Sequence, residues 1–122
     1  MTNENATPDV AIKRAYAPAS PDDGMRILVD RLWPRGVSKE LAALDDWMKD
    51  VAPSTELRKW FGHDPSRWPE FQQRYKAELE RHPEALDKLR ALARDHKLTL
   101  IYGARDTAHN EAVVLQELLT AG

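Results

Sequence analysis

Short apolar runs alternate with longer amphipathic segments along this chain. Residues 10–16 predict a half-buried strand, in which Val10, Ile12, Arg14 and Tyr16 alternate with Ala11, Lys13 and Ala15. Residues 27–29 and 98–102 are nearly continuous apolar runs, as expected for strands that are covered on both faces. Each of these two runs is followed by glycine and charged residues, and the first also by proline. Regular structure is therefore predicted to end there.

The region between the second and the last strand has helical periodicity. Ser38 and Ser54 precede helical segments and can cap them, because a serine hydroxyl accepts a backbone N–H of the first turn. The first segment either breaks near Leu44 or continues to Met48. The predicted helices, including one after the last strand, cover residues 39–48, 55–61, 65–81, 84–95 and 108–119.

This order of elements predicts an α/β fold. We expect a small, mostly parallel sheet of three or four strands flanked by helices, with a long helical insertion between the second strand and the last strand. Residues 1–9 are polar and aperiodic, so we predict a disordered tail there. Residues 10–122 are then a single domain, because a chain of 122 residues has room for one core.

Composition narrows the classes of function. The net charge of −2 argues against a surface built for nucleic acid, and no apolar run is long enough to span a membrane. The sequence has no cysteine, which excludes disulfides, thiolate metal sites and cysteine nucleophiles. The histidines have no metal-binding spacing, so we expect neither a metal nor a cofactor. The expected location is cytoplasmic.

The loop that follows the second strand is rich in side chains that a simple connector does not need. Residues 30–36 contain Asp30, Arg31, Trp33 and Arg35. If the second and last strands are parallel, this loop and residues 102–106 lie at the same edge of the sheet, where α/β proteins bind ligands.

That geometry would let Arg31, Arg35 and Arg105 converge on a bound group, and Gly103 would let the backbone approach it closely. Planar guanidinium groups bind phosphate and carboxylate in a bidentate manner. The alternative is structural: Asp30 pairs with Arg31, and Arg105 bonds a carbonyl.

Two further segments complete the candidate site. Arg58, Trp60 and His63 lie in an aromatic stretch of residues 52–64, and His109 with Asn110 precedes the last helix. His63 and Asp30 are the candidate acid–base groups. There are alternatives: Trp33 and Trp60 pack in the core or in a lid, residues 63–65 are simply a helix entry capped by Asp64, and His109 is solvated.

Three motifs resemble those of a known family. Residues 29–36, 52–64 and 102–110 look like the YeaO-like family of small uncharacterised bacterial proteins, grouped under domain of unknown function 488. The resemblance extends over residues 10–119 and implies no established activity. Longer relatives carry cysteine in the last strand–loop–helix unit, including the position of Tyr102, so their thiol chemistry does not transfer. A regulator label of the MarR kind, given to some relatives, has no support, because no helix-turn-helix is recognisable.

The leading hypothesis is therefore a cytoplasmic protein that binds a small anionic ligand in an arginine-lined cleft at the carboxyl end of the sheet. Catalysis is left open, because no paired nucleophile and base is identifiable. The first alternative is a protein–protein or homo-oligomeric module anchored by exposed aromatic residues. Nucleic-acid binding is a weaker alternative.

Overall fold

The structure is a computed structural model that describes residues 8–121 of the chain. A parallel sheet forms the centre of the molecule. Its four strands are β1 (Val10–Arg14), β2 (Met25–Leu28), β3 (Asp46–Trp47) and β4 (Leu98–Tyr102). They lie in the order β1-β4-β2-β3, and each neighbouring pair is parallel. The predicted α/β class and the predicted parallel sheet are confirmed.

The central position of β4 explains its apolar sequence. All five of its residues are buried, because β4 pairs with β1 on one side and with β2 on the other. Thr99 is the polar member, and its hydroxyl donates to the backbone oxygen of Asp23 at 2.7 Å. The register places Tyr102 beside Arg14 and Ile101 beside Leu28, so β1, β2 and β4 end at the same edge of the sheet.

Helices connect the strands and cover the sheet. Their bounds are α1 (Lys39–Ala42), α2 (Thr55–Phe61), α3 (Trp68–Arg81), α4 (Pro83–Asp95) and α5 (Glu111–Thr120), with short 3-10 turns at Pro21–Asp23, Lys49–Val51 and Pro65–Arg67. Four of the α-helices lie between β2 and β4, which confirms the long helical insertion. Ser38 and Ser54 cap α1 and α2 as predicted, each accepting a backbone N–H of its first turn.

Two alternatives were predicted for residues 39–48: the break near Leu44 agrees with the structure, whereas the continuous helix to Met48 is wrong. The α1 helix ends at Ala42 because Ala43 adopts the left-handed conformation, with φ 46° and ψ 48°. Asp46 and Trp47 then form the edge strand β3. Trp47 therefore lies in a strand, although its spacing in the sequence is helical. Its indole nitrogen donates to the backbone oxygen of Asp30 at 2.6 Å, which holds this segment against the sheet.

The last helix begins later than predicted. Asp106 accepts the backbone N–H groups of Ala108 and His109, which holds residues 106–109 in a turn. Asn110 then caps α5 by accepting the N–H of Val113. The helix therefore begins at Glu111 rather than near residue 108.

Each face of the sheet is covered by a hydrophobic core, and one core is much larger than the other. The larger core lies between the helices and one face, and it includes Tyr75, Leu89 and Leu115, each fully buried. The smaller core, on Leu28 and Ile101, is covered by Trp33, Val37, Leu44 and Trp47, which come from the segment between β2 and the end of β3. The sheet is thus fixed from both sides, and its carboxyl edge is a rigid base for loops.

The disordered tail predicted for residues 1–9 lies almost entirely outside the described residues. Within residues 8–121, no helix is both long and apolar enough to cross a membrane.

Candidate functional site

A cleft of about 250 Å³ opens at the carboxyl edge of the sheet. Its base is formed where β2 and β4 end, and its walls come from the loops after these strands and from α2, α3 and the start of α5. The lining residues are Tyr16, Asp30, Arg31, Leu32, Trp33, Pro34, Arg35, Pro53, Arg58, Phe61, His63, Phe71, Gly103, Ala104, His109, Asn110 and Glu111. The structure thus brings together the three segments that the sequence singled out.

Asp30 lies two residues after the end of β2, at the base of the cleft. Its Oδ2 accepts the backbone N–H of Gly103 at 2.8 Å, which links the loop after β2 to the loop after β4. A Cβ at position 103 would lie 3.1 Å from that oxygen, which explains why glycine suits this position. Among the residues described, no donor reaches the other carboxylate oxygen of Asp30.

The cleft changes the acidity of this carboxyl group. Burial raises the pKa of Asp30 to about 6, although the hydrogen bond from Gly103 and the positive charge of Arg58 oppose the shift. A carboxyl group with this pKa can hold or release a proton near neutral pH. Asp30 is therefore the most chemically distinctive group in the cleft.

The four candidate arginines have different environments. The guanidinium of Arg31 donates to the backbone oxygens of Pro53 and Ala52 at 3.2 and 3.3 Å, so Arg31 holds the neighbouring loop in place. The side chains of Arg35 and Arg58 are exposed at the cleft and have neither a hydrogen bond nor a salt bridge within residues 8–121. Arg105 is exposed and does not line the cleft.

The two candidate tryptophans also differ. Trp33 forms part of the wall: its indole donates to the backbone oxygen of Val37 at 2.7 Å, and its ring packs edge-on against Trp47 at 5.5 Å. Trp60 instead lies in a separate surface groove between α2 and α3, under the guanidinium of Arg74 at 4.4 Å. The structure therefore brings Trp33, and not Trp60, to the candidate site.

The histidines and Asn110 lie at the rim of the cleft. His63 is exposed and has a positive φ of 58° just after the end of α2. The Nδ1 of His109 pairs with Asp106 at 2.8 Å, and its ring packs edge-on against Trp68 at 5.3 Å. Asn110 is 2% exposed: its amide nitrogen donates to the backbone oxygen of Asp106 in the turn, and its amide oxygen caps α5. His109 and Asn110 therefore shape the rim, whereas His63 faces solvent.

Several lining residues were not predicted from the sequence. Tyr16 lies just beyond β1 and its hydroxyl donates to the backbone oxygen of Arg35 at 2.9 Å. Phe61 and Phe71 stack at 4.5 Å to form an apolar wall, and Glu111 reaches the cleft from the first turn of α5. The signal for Tyr16 was its place directly after a strand that ends at the binding edge.

A metal centre finds no support in the described part of the chain, where no three histidine or carboxylate side chains are grouped to hold an ion.

Comparison with known proteins gives consistent matches over nearly the whole chain. Residues 9–122 match the family described as the inactive DUF488-N3 subclade. The uncharacterised protein YeaO of Escherichia coli K12 is 46% identical over 111 residues, which cover 91% of this chain and 96% of YeaO. The uncharacterised proteins Mb3100c of Mycobacterium bovis and Rv3073c of Mycobacterium tuberculosis H37Rv are each 44% identical over 110 residues, covering 90% of this chain and 92% of theirs. No solved structure matches the chain.

Proposed function

The chain is a YeaO-like member of the inactive DUF488-N3 subclade, and we propose that it binds a small anionic ligand, a phosphate or a carboxylate, in the cleft at the carboxyl edge of its sheet. The observation that carries this proposal is the pair of exposed guanidinium groups, Arg35 and Arg58, that line one cleft without an acidic partner among the described residues. Such groups are the usual recognition elements for phosphate and carboxylate.

The size of the cleft limits the ligand. About 250 Å³ lies just below the roughly 300–1,000 Å³ of sites for drug-sized molecules. Leu32, Trp33, Pro34, Phe61 and Phe71 supply apolar walls, so the ligand has an apolar part as well as its acid group.

We propose binding and assign no reaction. The chain has no cysteine, and among the described side chains no hydroxyl lies within hydrogen-bond reach of a histidine. The description of the subclade as inactive agrees with this chemistry. Asp30 and His63 are the groups that would carry proton transfer if the ligand were a substrate.

The test is a titration of ¹⁵N-labelled protein with inorganic phosphate, phenyl phosphate and 3-phenylpropionate, followed by amide NMR shifts. We expect the NMR signal of the Gly103 amide to shift, because Gly103 lines the cleft and its N–H donates to Asp30. Arg58→Gln and Arg35→Gln should each weaken binding about ten-fold or more, since a hydrogen bond to a charged group contributes about 1.5–3 kcal/mol. Arg94→Gln is the matched control, because Arg94 is an exposed residue of α4 that does not line the cleft.

The outcomes separate the candidate functions. Equal losses for Arg58→Gln and Arg94→Gln, with a steep dependence on salt, would indicate a diffuse basic surface of the kind that binds nucleic acid. Binding that no arginine substitution alters would overturn the proposal.

A second candidate, an interface between proteins, has one observation in its favour. Leu32 and Tyr16 are 59% and 48% exposed, and both line the cleft. Exposed apolar residues beside a cleft are typical of interaction sites. A mass that rises with concentration in light scattering, and that Leu32→Ser reduces, would favour this function.

A further inference from the structure

We infer that the ligand of this cleft is a small zwitterion with an apolar body, whose protonated amine binds Asp30 and Glu111 while its acid group binds Arg35 and Arg58. The inference rests on the proposed function and names the chemical class of the ligand. A purely anionic ligand would leave the carboxylates of the cleft, Asp30 and Glu111, without a positively charged partner.

Asp30 is a carboxylate with unused hydrogen-bonding capacity. Gly103 occupies one of its oxygens, and no salt bridge joins Asp30 to a cation within the described residues. The group lies among apolar walls, where a carboxylate that lacks donors is costly. A ligand amine would supply both the missing donor and the missing positive charge.

Glu111 adds a second carboxylate to the same cleft. Its side chain is half-buried and has no hydrogen bond or salt bridge to the part of the chain described. A carboxylate in the first turn of a helix is favourable on its own, because it faces the positive end of the helix dipole. That reason does not apply to Asp30. One carboxylate from the loop after β2 and one from α5 thus line the same cleft, and neither forms a salt bridge within the described residues.

The guanidinium groups of the cleft do not neutralise these carboxylates. Arg58 is close enough to lower the pKa of Asp30, yet the two side chains form no ion pair within 4.0 Å. Charges of both signs therefore line one cleft unpaired. A simple anion would meet repulsion from the carboxylates, and a simple cation would meet repulsion from the arginines. A zwitterion places each of its charges beside an opposite one.

The rest of the cleft fits a molecule of amino-acid size. The stacked rings of Phe61 and Phe71 provide an apolar wall for its body. The volume of about 250 Å³ accommodates one such molecule. L-Phenylalanine is therefore a suitable probe, because its two single-charge analogues, 3-phenylpropionate and phenethylamine, have the same ring and nearly the same length.

The experiment compares these three probes by amide NMR titration of the full chain at pH 7.5. We expect L-phenylalanine to bind about ten-fold or more tightly than either analogue, because each analogue leaves one set of charges unpaired. Asp30→Asn should remove that preference: affinity for L-phenylalanine falls to the level of 3-phenylpropionate, and affinity for 3-phenylpropionate is unchanged or higher. Asp95→Asn, on the exposed end of α4, is the matched control and should change neither affinity.

The results distinguish this inference from the function on which it rests. If 3-phenylpropionate binds with dependence on Arg58 and L-phenylalanine binds no more tightly, the zwitterion is overturned and anion binding stands. If neither L-phenylalanine nor 3-phenylpropionate binds, both the zwitterion inference and the proposed anion binding are overturned. The same holds if phenethylamine binds best and its binding depends on Asp30. The amide spectrum of each variant shows directly whether it is folded, so a loss of binding cannot be mistaken for a loss of structure.

Discussion

Replacing Asp30 with asparagine is expected to stabilise the protein at neutral pH. Burial raises the pKa of Asp30 to about 6 from its ordinary value of 3.8, so the folded protein holds this proton more tightly than the unfolded chain does. As the pH rises from about 4 to about 6, the unfolded chain loses the proton first, and the free energy of unfolding falls. Asparagine does not titrate, and its amide oxygen still accepts the N–H of Gly103.

The size of the effect follows from the shift. Each pKa unit corresponds to about 1.36 kcal/mol, so the ionised group lowers the free energy of unfolding by about 3 kcal/mol at pH 7.5 and by about 1 kcal/mol at pH 4.5. The advantage of Asp30→Asn over the natural protein should therefore grow by about 2 kcal/mol between these two pH values. For a domain of this size, that corresponds to a rise of several degrees in Tm.

The assay is urea unfolding followed by tryptophan fluorescence at pH 4.5 and 7.5. Asp95→Asn serves as the control, because the exposed Asp95 has no hydrogen bond or salt bridge to any described residue. We expect its effect on stability to be the same at both pH values. The reasoning would be refuted if the difference in free energy of unfolding between Asp30→Asn and the natural protein did not change with pH. It would also be refuted if the variant were the less stable protein at pH 7.5.

The remaining predictions concern the opposite end of the sheet. Burial raises the pKa of Asp23, but hydrogen bonds from the Lys13 side chain, the Ser20 backbone and the Arg26 side chain hold it at about 2. This low pKa stabilises the fold above pH 4, and the stabilisation is lost as the pH falls toward 2. Asp23→Asn should thus cost about 2.5 kcal/mol at pH 7 in urea unfolding, and no loss would show that the ion pairs of Asp23 with Lys13 and Arg26 are dispensable. Gly24→Ala should lower the Tm far more than Gly36→Ala: both positions have positive φ, but a Cβ at position 24 would lie 2.3 Å from the backbone oxygen of Lys97, whereas position 36 is open. Equal losses for the two variants would contradict this.

The sequence was informative where one physical effect dominates. The apolar run at residues 98–102 is buried on both faces, so its pattern identifies a central strand without further information. Ser54 is a serine directly before an apolar-periodic segment, and it caps α2 as its type predicts. The position of the cleft followed from the same reasoning, since it required only that β2 and β4 be parallel.

The sequence was uninformative where side-chain direction decides the outcome. Arg105 and Arg58 have the same chemistry, but only Arg58 lines the cleft, because the loop after β4 directs Arg105 to solvent. Trp47 and Trp60 both fit a helical pattern, yet Trp47 belongs to a two-residue strand whose pairing with β2 is non-local. The direction of a side chain and the pairing of a short strand depend on tertiary contacts. A local sequence pattern does not report these contacts.

The strand order also has a consequence for how the protein folds during synthesis. Strand β1 pairs with β4, which follows it only after β2, β3 and four α-helices, and β2 also pairs with β4. The three-strand core of the sheet therefore cannot assemble until residues 98–102 have left the ribosome. Contacts this distant in sequence make folding slow, so β1 and β2 have exposed edges throughout translation. A nascent chain stalled before residue 98 would hence be sensitive to proteases and would be a ligand for chaperones, whereas one released past α5 would not.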